Sequence, residues 1–323
     1  MTKKNESNIL FKPIKEIAED TLKFIKKKQS ERKIYERLVK DMSARRGEKS
    51  NLSGIPTGFM DIDIVTDGLP YGISVIGARP EDALTDFGLN IALNASRTHK
   101  VAYISPDIPS KILMKRLVSI ASSVGMKDIN NGLEYFSDTD FPKLTRAIGK
   151  FRDTKNLVLC DRRLDTYKFS EVCKYLREKE GTQFIVLDRF QSLFPKESMS
   201  ESFYWKAKEI SGTMHDLVSE SGLALLILSE VKKKKGDEKL CTDHLRDFGV
   251  FEYEARPIIF LEKEGGRRSY SDDLEANSDG IPMKLNITNN LGGELNTDVN
   301  LLYLKPFGRF ESAAKFSDED LPS

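Results

Sequence analysis

The sequence predicts an α/β fold on a mainly parallel sheet buried on both faces, and two observations carry that prediction. Short apolar runs alternate with longer amphipathic stretches from residue 73 to residue 229, the pattern of strands covered by helices on either side. Beyond residue 257 the pattern changes. Apolar segments there follow one another with no helix between them, separated by turn residues such as Gly292-Gly293, as in antiparallel strands at one sheet edge.

Taken in order, strands are expected at 73–77, 101–105, 157–160, 184–187 and 223–229, with helices at 87–97, 110–123, 169–179 and 204–221. After the apolar segment 257–261, edge strands follow at 284–288 and 299–303. Residues 265–280, rich in Gly, Arg, Ser and Asp, read as a surface loop. Residues 1–50 differ in style and form a helical appendage and linker, ahead of a core at 51–312 and a tail at 313–323. Within the appendage Ile14, Ala18, Leu22 and Ile25 share one helical face, and Pro13 sits where a first turn tolerates it. A second periodic stretch around Ile34, Leu38 and Met42 fades into the polar run 45–50, the linker.

The 323 residues are 39% hydrophobic and 31% charged, enough for one large core under a well-hydrated surface. Lysine and arginine (51) nearly cancel aspartate and glutamate (50), so bulk charge says nothing about nucleic acid. Cys160, Cys173 and Cys241 have no paired spacing, and His99, His215 and His244 no ligand spacing; neither a disulfide framework nor a metal site is expected. No stretch approaches the roughly 18 apolar residues of a membrane span, and MTKKNESNIL lacks the apolar run of a signal peptide. The expected location is the cytoplasm, with no membrane partner.

The first strand leads into the loop Gly77-Ala78-Arg79-Pro80-Glu81-Asp82-Ala83-Leu84-Thr85. A strand, a loop and a helix N-terminus are where a nucleotide-binding fold cradles phosphates, with the pattern G-x-x-x-x-G-K-[ST]. Gly77 and Thr85 read as the retained first glycine and hydroxyl, while Ala83 and Leu84 stand at the glycine and lysine positions. Leu84 offers no cation, and Ala83 adopts positive φ less cheaply than glycine. Glu81, Asp82 and Asp86 add negative charge where a polyanion would sit.

The surroundings nevertheless resemble one family. Ser53-Gly54-Ile55-Pro56-Thr57-Gly58-Phe59, Asp61-Ile62-Asp63, Asp67-Gly68-Leu69 and Ala78-Arg79-Pro80 are similar to the start of the C-terminal motor domain of DnaB-family replicative helicases. Ile104-Ser105-Pro106-Asp107-Ile108-Pro109-Ser110 resembles the family's strand followed by S-L-E-M-P-S. Phe184 to Gln191 resembles its Walker B strand followed by D-Y-L-Q. Leu228-Ser229-Glu230 resembles L-S-Q, Leu245 to Ala255 resembles D-L-R-E-S-G-x-I-E-Q-D-A, and Gly308-Arg309-Phe310 the terminal aromatic-S-R-F.

The resemblance implies a RecA-like P-loop core preceded by a linker helix. By it, Asp188 would help hold Mg²⁺ and Asp107 would take the place of the glutamate that activates water, one methylene short. Glu230 replaces the glutamine that senses the terminal phosphate. The family's trans-acting K-Q-R-N-G corresponds to Thr288-Asn289-Asn290-Leu291-Gly292, which lacks both cations. An arginine finger alone is worth about 10³–10⁵ in rate. The combined losses therefore imply a pseudo-ATPase with a vestigial Asp188 and no bound cofactor, against the alternative of an active helicase using ATP and Mg²⁺.

Lys196, Tyr204, Lys206 and Lys208 lie where family rings present loops to single-stranded DNA, and Lys232, Lys233 and Lys234 follow the next strand; basic residues with aromatics suit backbone contact and base stacking. Core packing by the aromatics and solvated lysines explain the same residues. By the resemblance, Ile14, Ala18, Leu22 and Ile25 would dock on an adjacent subunit of a hexameric ring; docking on their own core is the alternative. The partners implied are a replicative helicase or copies of this chain, with single-stranded DNA. The functions implied are an accessory or inhibitor, an active helicase, or a structural subunit of a mixed ring.

Overall fold

The computed structural model describes residues 52–132, 136–153, 155–194, 203–231, 240–245, 254–264, 280–289 and 296–313. Helices α1 (Met60–Thr66), α2 (Leu84–Ala95), α3 (Ser110–Ser122), α4 (Met126–Asn131), α5 (Asp140–Asp153), α6 (Thr166–Tyr175) and α7 (Phe203–Ser221) accompany nine strands. The strands are β1 (Ile73–Ala78), β2 (Val101–Ile104), β3 (Leu157–Cys160), β4 (Phe184–Asp188), β5 (Ala224–Glu230), β6 (Ala255–Lys263), β7 (Ile281–Asn289), β8 (Thr297–Leu304) and β9 (Arg309–Ser312). They form one sheet in the order β3-β2-β4-β5-β1-β6-β7-β8-β9. Pairing is parallel from β3 to β6 and antiparallel from β6 to β9.

Why the central strands are unbroken apolar runs follows from what covers them. Ile76, Val186, Leu226 and Leu228 face one core with Phe87, Leu89 and Ile91 of α2 and Leu113 and Leu117 of α3. Val75, Ile185, Leu187, Leu225 and Ile227 face the other, with Phe169 of α6 and Ile210, Met214 and Leu217 of α7. Both faces are dry, so both sets of alternating positions are apolar. In β8, by contrast, Val299, Leu301 and Tyr303 are buried while Asp298 and Asn300 are exposed, the alternation of a sheet covered on one side.

The helix-over-sheet packing that sets the position of α2 requires Gly88, since a Cβ there would lie 2.4 Å from Leu228 Cδ1. Ahead of β1, Asp63 of α1 closes a turn by accepting from the Thr57 backbone N–H (2.8 Å), the Thr57 hydroxyl (2.7 Å) and the Gly58 N–H (3.1 Å). The helicase-like Thr57-Gly58 and Asp63 are thus a structural clasp.

Four elements were not anticipated: α1, α4, α5 and β9. Helix α5 buries only Leu144 and Ala147, a stripe too narrow to stand out among its charged residues. Helix α2 starts three residues earlier than the expected 87, because the loop delivers Leu84 directly into the core. The segment 1–51, with Ile14, Ala18, Leu22 and Ile25, lies outside the described residues, as do 265–279 and 314–323. Among the described residues no helix is long and apolar enough to cross a membrane.

Candidate functional site

The strands β2, β4, β5 and β1 are consecutive neighbours in the sheet, so their carboxyl ends form one continuous edge. Asp107, Asp188, Glu230 and the loop after β1 all lie along it. In open parallel sheets this edge is where ligands are held.

Gly77 does not belong to the phosphate loop proper. Five residues separate it from Ala83, one more than the pattern allows, so counting back from Thr85 places Ala78 at the first-glycine position. The glycine at 77 answers a packing need: a Cβ there would lie 2.8 Å from Leu245 Cδ2 and 3.1 Å from the Phe260 ring. Both glycine positions of the pattern therefore carry alanine.

Ala83 nevertheless keeps the glycine backbone, with φ 56° and ψ 35°, at a cost of about 1–2 kcal/mol for a residue with a Cβ. Leu84, the first residue of α2, is 5% exposed and packs in the core, with Ala83 against that core. The position that should present a cation to phosphate has become interior. Arg79 accepts the Asp82 N–H at its carbonyl (3.0 Å), and its side chain stays half-buried.

The three acidic residues expected to repel a polyanion differ in state. Glu81 is exposed. Asp82 is 2% exposed, one of its carboxyl oxygens has no hydrogen-bond partner, and burial, opposed by Arg79, pushes its pKa up to about 6. Asp86 has an intervening basic side chain: it is paired with Arg116 (2.7 Å) and accepts from the Tyr303 hydroxyl (2.6 Å).

Asp188 ends β4 at 1% exposure. Its Oδ2 accepts from the Tyr103 hydroxyl (2.8 Å), which also lies 3.3 Å from the Thr85 carbonyl. Its Oδ1 is buried without a partner. Burial raises the Asp188 pKa; Tyr103, the nearby Thr85 side chain and Arg189 oppose the rise. An orphaned carboxylate oxygen beside a threonine fits the metal end of a magnesium-nucleotide site, where a loop hydroxyl and a Walker B aspartate share the ion. The phosphate end does not fit, because Leu84 supplies no charge and the loop adds Glu81 and Asp82.

Asp107 and Glu230 come together through a residue that sequence reasoning passed over. Arg189 pairs with Glu230 through Nη1 and lies 3.9 Å from Asp107 through Nη2. Ser192 donates to the same Asp107 carboxylate. Gln191 donates to the Ser229 hydroxyl (2.9 Å) and the Glu230 carbonyl (3.2 Å), fixing β5 against the end of β4. The signal was present: a cation directly follows Asp188 where the helicase pattern D-Y-L-Q has tyrosine.

The DNA-contact candidates are less well placed. Lys206 is half-buried and Lys208 exposed on α7, and Tyr204 belongs to the same helix. Lys196, Lys232, Lys233 and Lys234 lie outside the described residues. Thr288, at the trans-acting position, donates its hydroxyl to the Ile258 carbonyl (3.2 Å). Among the described residues no cluster of three or more His, Cys, Asp or Glu could hold a metal.

The sheet order, the strand-loop-helix turn at 78–85 and the aspartate ending β4 define a RecA-like P-loop domain. Within that class the chain belongs to the DnaB-like helicase C terminal domain family, whose model matches residues 54–312. It is 25% identical over 286 residues to the replicative DNA helicase DnaB of Haemophilus influenzae, across 85% of this chain and 58% of that protein. It is 27% identical over 219 residues to a probable plasmid replicative DNA helicase of Chlamydia psittaci, across 66% and 47%. One solved ATPase domain superposes with a TM-score of 0.74 at 26% identity, covering 87% of this chain and 99% of that one. A DnaB-like replicative helicase structure, described with its interactions with primase, gives 0.73 at 24% identity and shares the fold, covering 94% of this chain and 72% of that one. The chain spans 58% and 60% of the length of the Haemophilus and Bacillus subtilis relatives.

Proposed function

We propose that this chain is a non-hydrolysing DnaB-like protein of DNA replication that acts by binding a replicative helicase, single-stranded DNA or both, as an accessory or inhibitor. The observation that carries this reading is Leu84, buried in the core at the lysine position of the phosphate loop. A charge-assisted hydrogen bond is worth roughly 1.5–3 kcal/mol, and this loop offers none from that position. The shortened Asp107 and the loss of cations at 288–292 act in the same direction. Ile14, Ala18, Leu22 and Ile25 are the proposed subunit-docking face. Lys196, Tyr204, Lys206, Lys208 and Lys232–Lys234 are the proposed DNA contacts.

A second reading, an active ATP-dependent helicase with an atypical loop, is favoured by one feature: the partnerless Asp188 oxygen beside Thr85. A structural subunit of a mixed ring is told apart by a fixed stoichiometry with an active helicase. The test is phosphate release from MgATP with and without single-stranded DNA, run beside co-sedimentation with a replicative helicase. Release no higher than that of Asp188→Ala, with co-sedimentation or DNA binding, supports the proposal. DNA-stimulated release that Asp188→Ala abolishes restores the helicase reading.

A further inference from the structure

We infer that Arg189 is an internal counter-ion that holds the terminal-phosphate end of the site closed, so that nucleotide binding is blocked at two separate places. This rests on the non-hydrolysing reading and deepens it. Arg189 leaves the end of β4, between β2 and β5 in the sheet. Its guanidinium meets Glu230 on one side and Asp107 on the other, with Ser192 completing the Asp107 carboxylate. These two carboxylates occupy the positions at which the helicase pattern carries a water-activating glutamate and a phosphate-sensing glutamine.

The two substitutions explain each other. A glutamate at 230 without a cation would face Asp107 and Asp188 along one edge, three like charges held by adjacent strands. An arginine at 189 without Glu230 would leave a half-buried cation with only the longer contact to Asp107. Together they form a closed pair, with the Arg189 and Glu230 side chains 32% and 27% exposed. Of the five N–H donors of Arg189, one on Nη1 is engaged by Glu230, while Nη2 stands at the longer 3.9 Å from Asp107. A phosphate approaching the remaining donors would meet a cation whose charge is already balanced, with the Glu230 and Asp107 carboxylates beside it to repel the incoming polyanion. The clamp is thus independent of the loop. Leu84 removes attraction at the inner phosphates, and Arg189–Glu230 opposes occupancy at the outer one.

The test separates these two blocks in the full-length protein, with MgATP binding read by fluorescence titration and melting temperature read in parallel. A83G/L84K repairs the loop alone, R189Y/E230Q restores the helicase pattern at the clamp alone, and the four-fold variant combines them. Each pair alone is expected to bind MgATP weakly, and the combination to bind at least about tenfold tighter than A83G/L84K. In the melting cycle, R189Y and E230Q singly should each lower the melting temperature, and the double variant should recover most of the loss. The inference is overturned if A83G/L84K binds as tightly as the four-fold variant. A folded four-fold variant that binds no MgATP overturns it equally, as does strict additivity of the two melting shifts. Tight MgATP binding by the unaltered protein, lost in Arg189→Ala, would overturn the clamp, with Arg189 acting as the missing phosphate cation, whereas the non-hydrolysing reading itself falls only to DNA-stimulated phosphate release.

Discussion

At the metal end of the site, Asp188 and Thr85 sit together under the Tyr103 hydroxyl, with one carboxylate oxygen left without a partner. At the phosphate end, a single residue before Thr85, Leu84 has joined the apolar core. The first region keeps polar groups whose burial is costly unless something completes them; the second has replaced polar groups with side chains that stabilise the domain by themselves. Burial of an apolar side chain is favoured wherever ligand binding no longer opposes it, whereas the Asp188 network ties β2, β4 and α2 together, so that each change in it leaves a buried partner short of a hydrogen bond. The scaffold of a phosphate site can therefore persist around a loop whose lysine position has joined the core.

The largest effect that sharpens this contrast is expected for Leu84→Ala. If Leu84 is core, its truncation should cost about 2–5 kcal/mol in urea unfolding; a surface phosphate-loop residue would cost almost nothing.

Asp82→Asn should move stability the other way. The Asp82 carboxyl has a folded pKa of about 6 against an ordinary 3.8, so the folded state holds its proton more tightly. Its contribution is favourable at low pH and is lost as pH rises from about 4 through 6. At pH 8 the asparagine variant should be more stable by roughly 2–3 kcal/mol, shrinking towards zero near pH 4. Melting temperature against pH for both proteins reads the difference, and parallel curves would show that Asp82 is not buried as an ionisable group.

Tyr103→Phe should cost about 1–3 kcal/mol by leaving a second Asp188 oxygen unsatisfied. The ionised carboxylate is the form that needs this donor, so the loss should grow as pH rises through the raised Asp188 pKa. A pH-independent loss would assign the effect to packing alone. Smallest is Ala83→Gly, which relieves the left-handed backbone at φ 56° and should stabilise by up to about 1 kcal/mol, reduced by the greater freedom of glycine in the unfolded chain.

Much of the fold was legible because its strands are dry on both faces. Runs such as Phe184-Ile185-Val186-Leu187 read as strands once helices flank them, and the succession of segments 284–288 and 299–303 with only turn residues between them marked the antiparallel edge. Helix α5 was not legible, since two buried side chains among fourteen residues leave little periodicity. Within the site, the resemblance singled out the loop, Asp107, Asp188 and Glu230, and the sheet order is what brings them to one edge. Sequence reasoning misassigned Gly77, whose absent side chain makes room for Leu245 and Phe260 from remote segments, and it could not name the partners of Asp86, because Arg116 and Tyr303 reach it only through the fold. Arg189 went unread because a match of D-R-F-Q to D-Y-L-Q attends to the aspartate. Only the sheet order shows that its cation falls between two carboxylates.

The central claim, that the lysine position of the phosphate loop has become core and no longer serves phosphate, is tested most directly by calorimetric titration of the full-length protein with MgATP. No saturable binding is expected up to about millimolar nucleotide, the weak end of the affinity scale. Saturable micromolar binding that Thr85→Ala weakens would contradict it and return the loop to nucleotide.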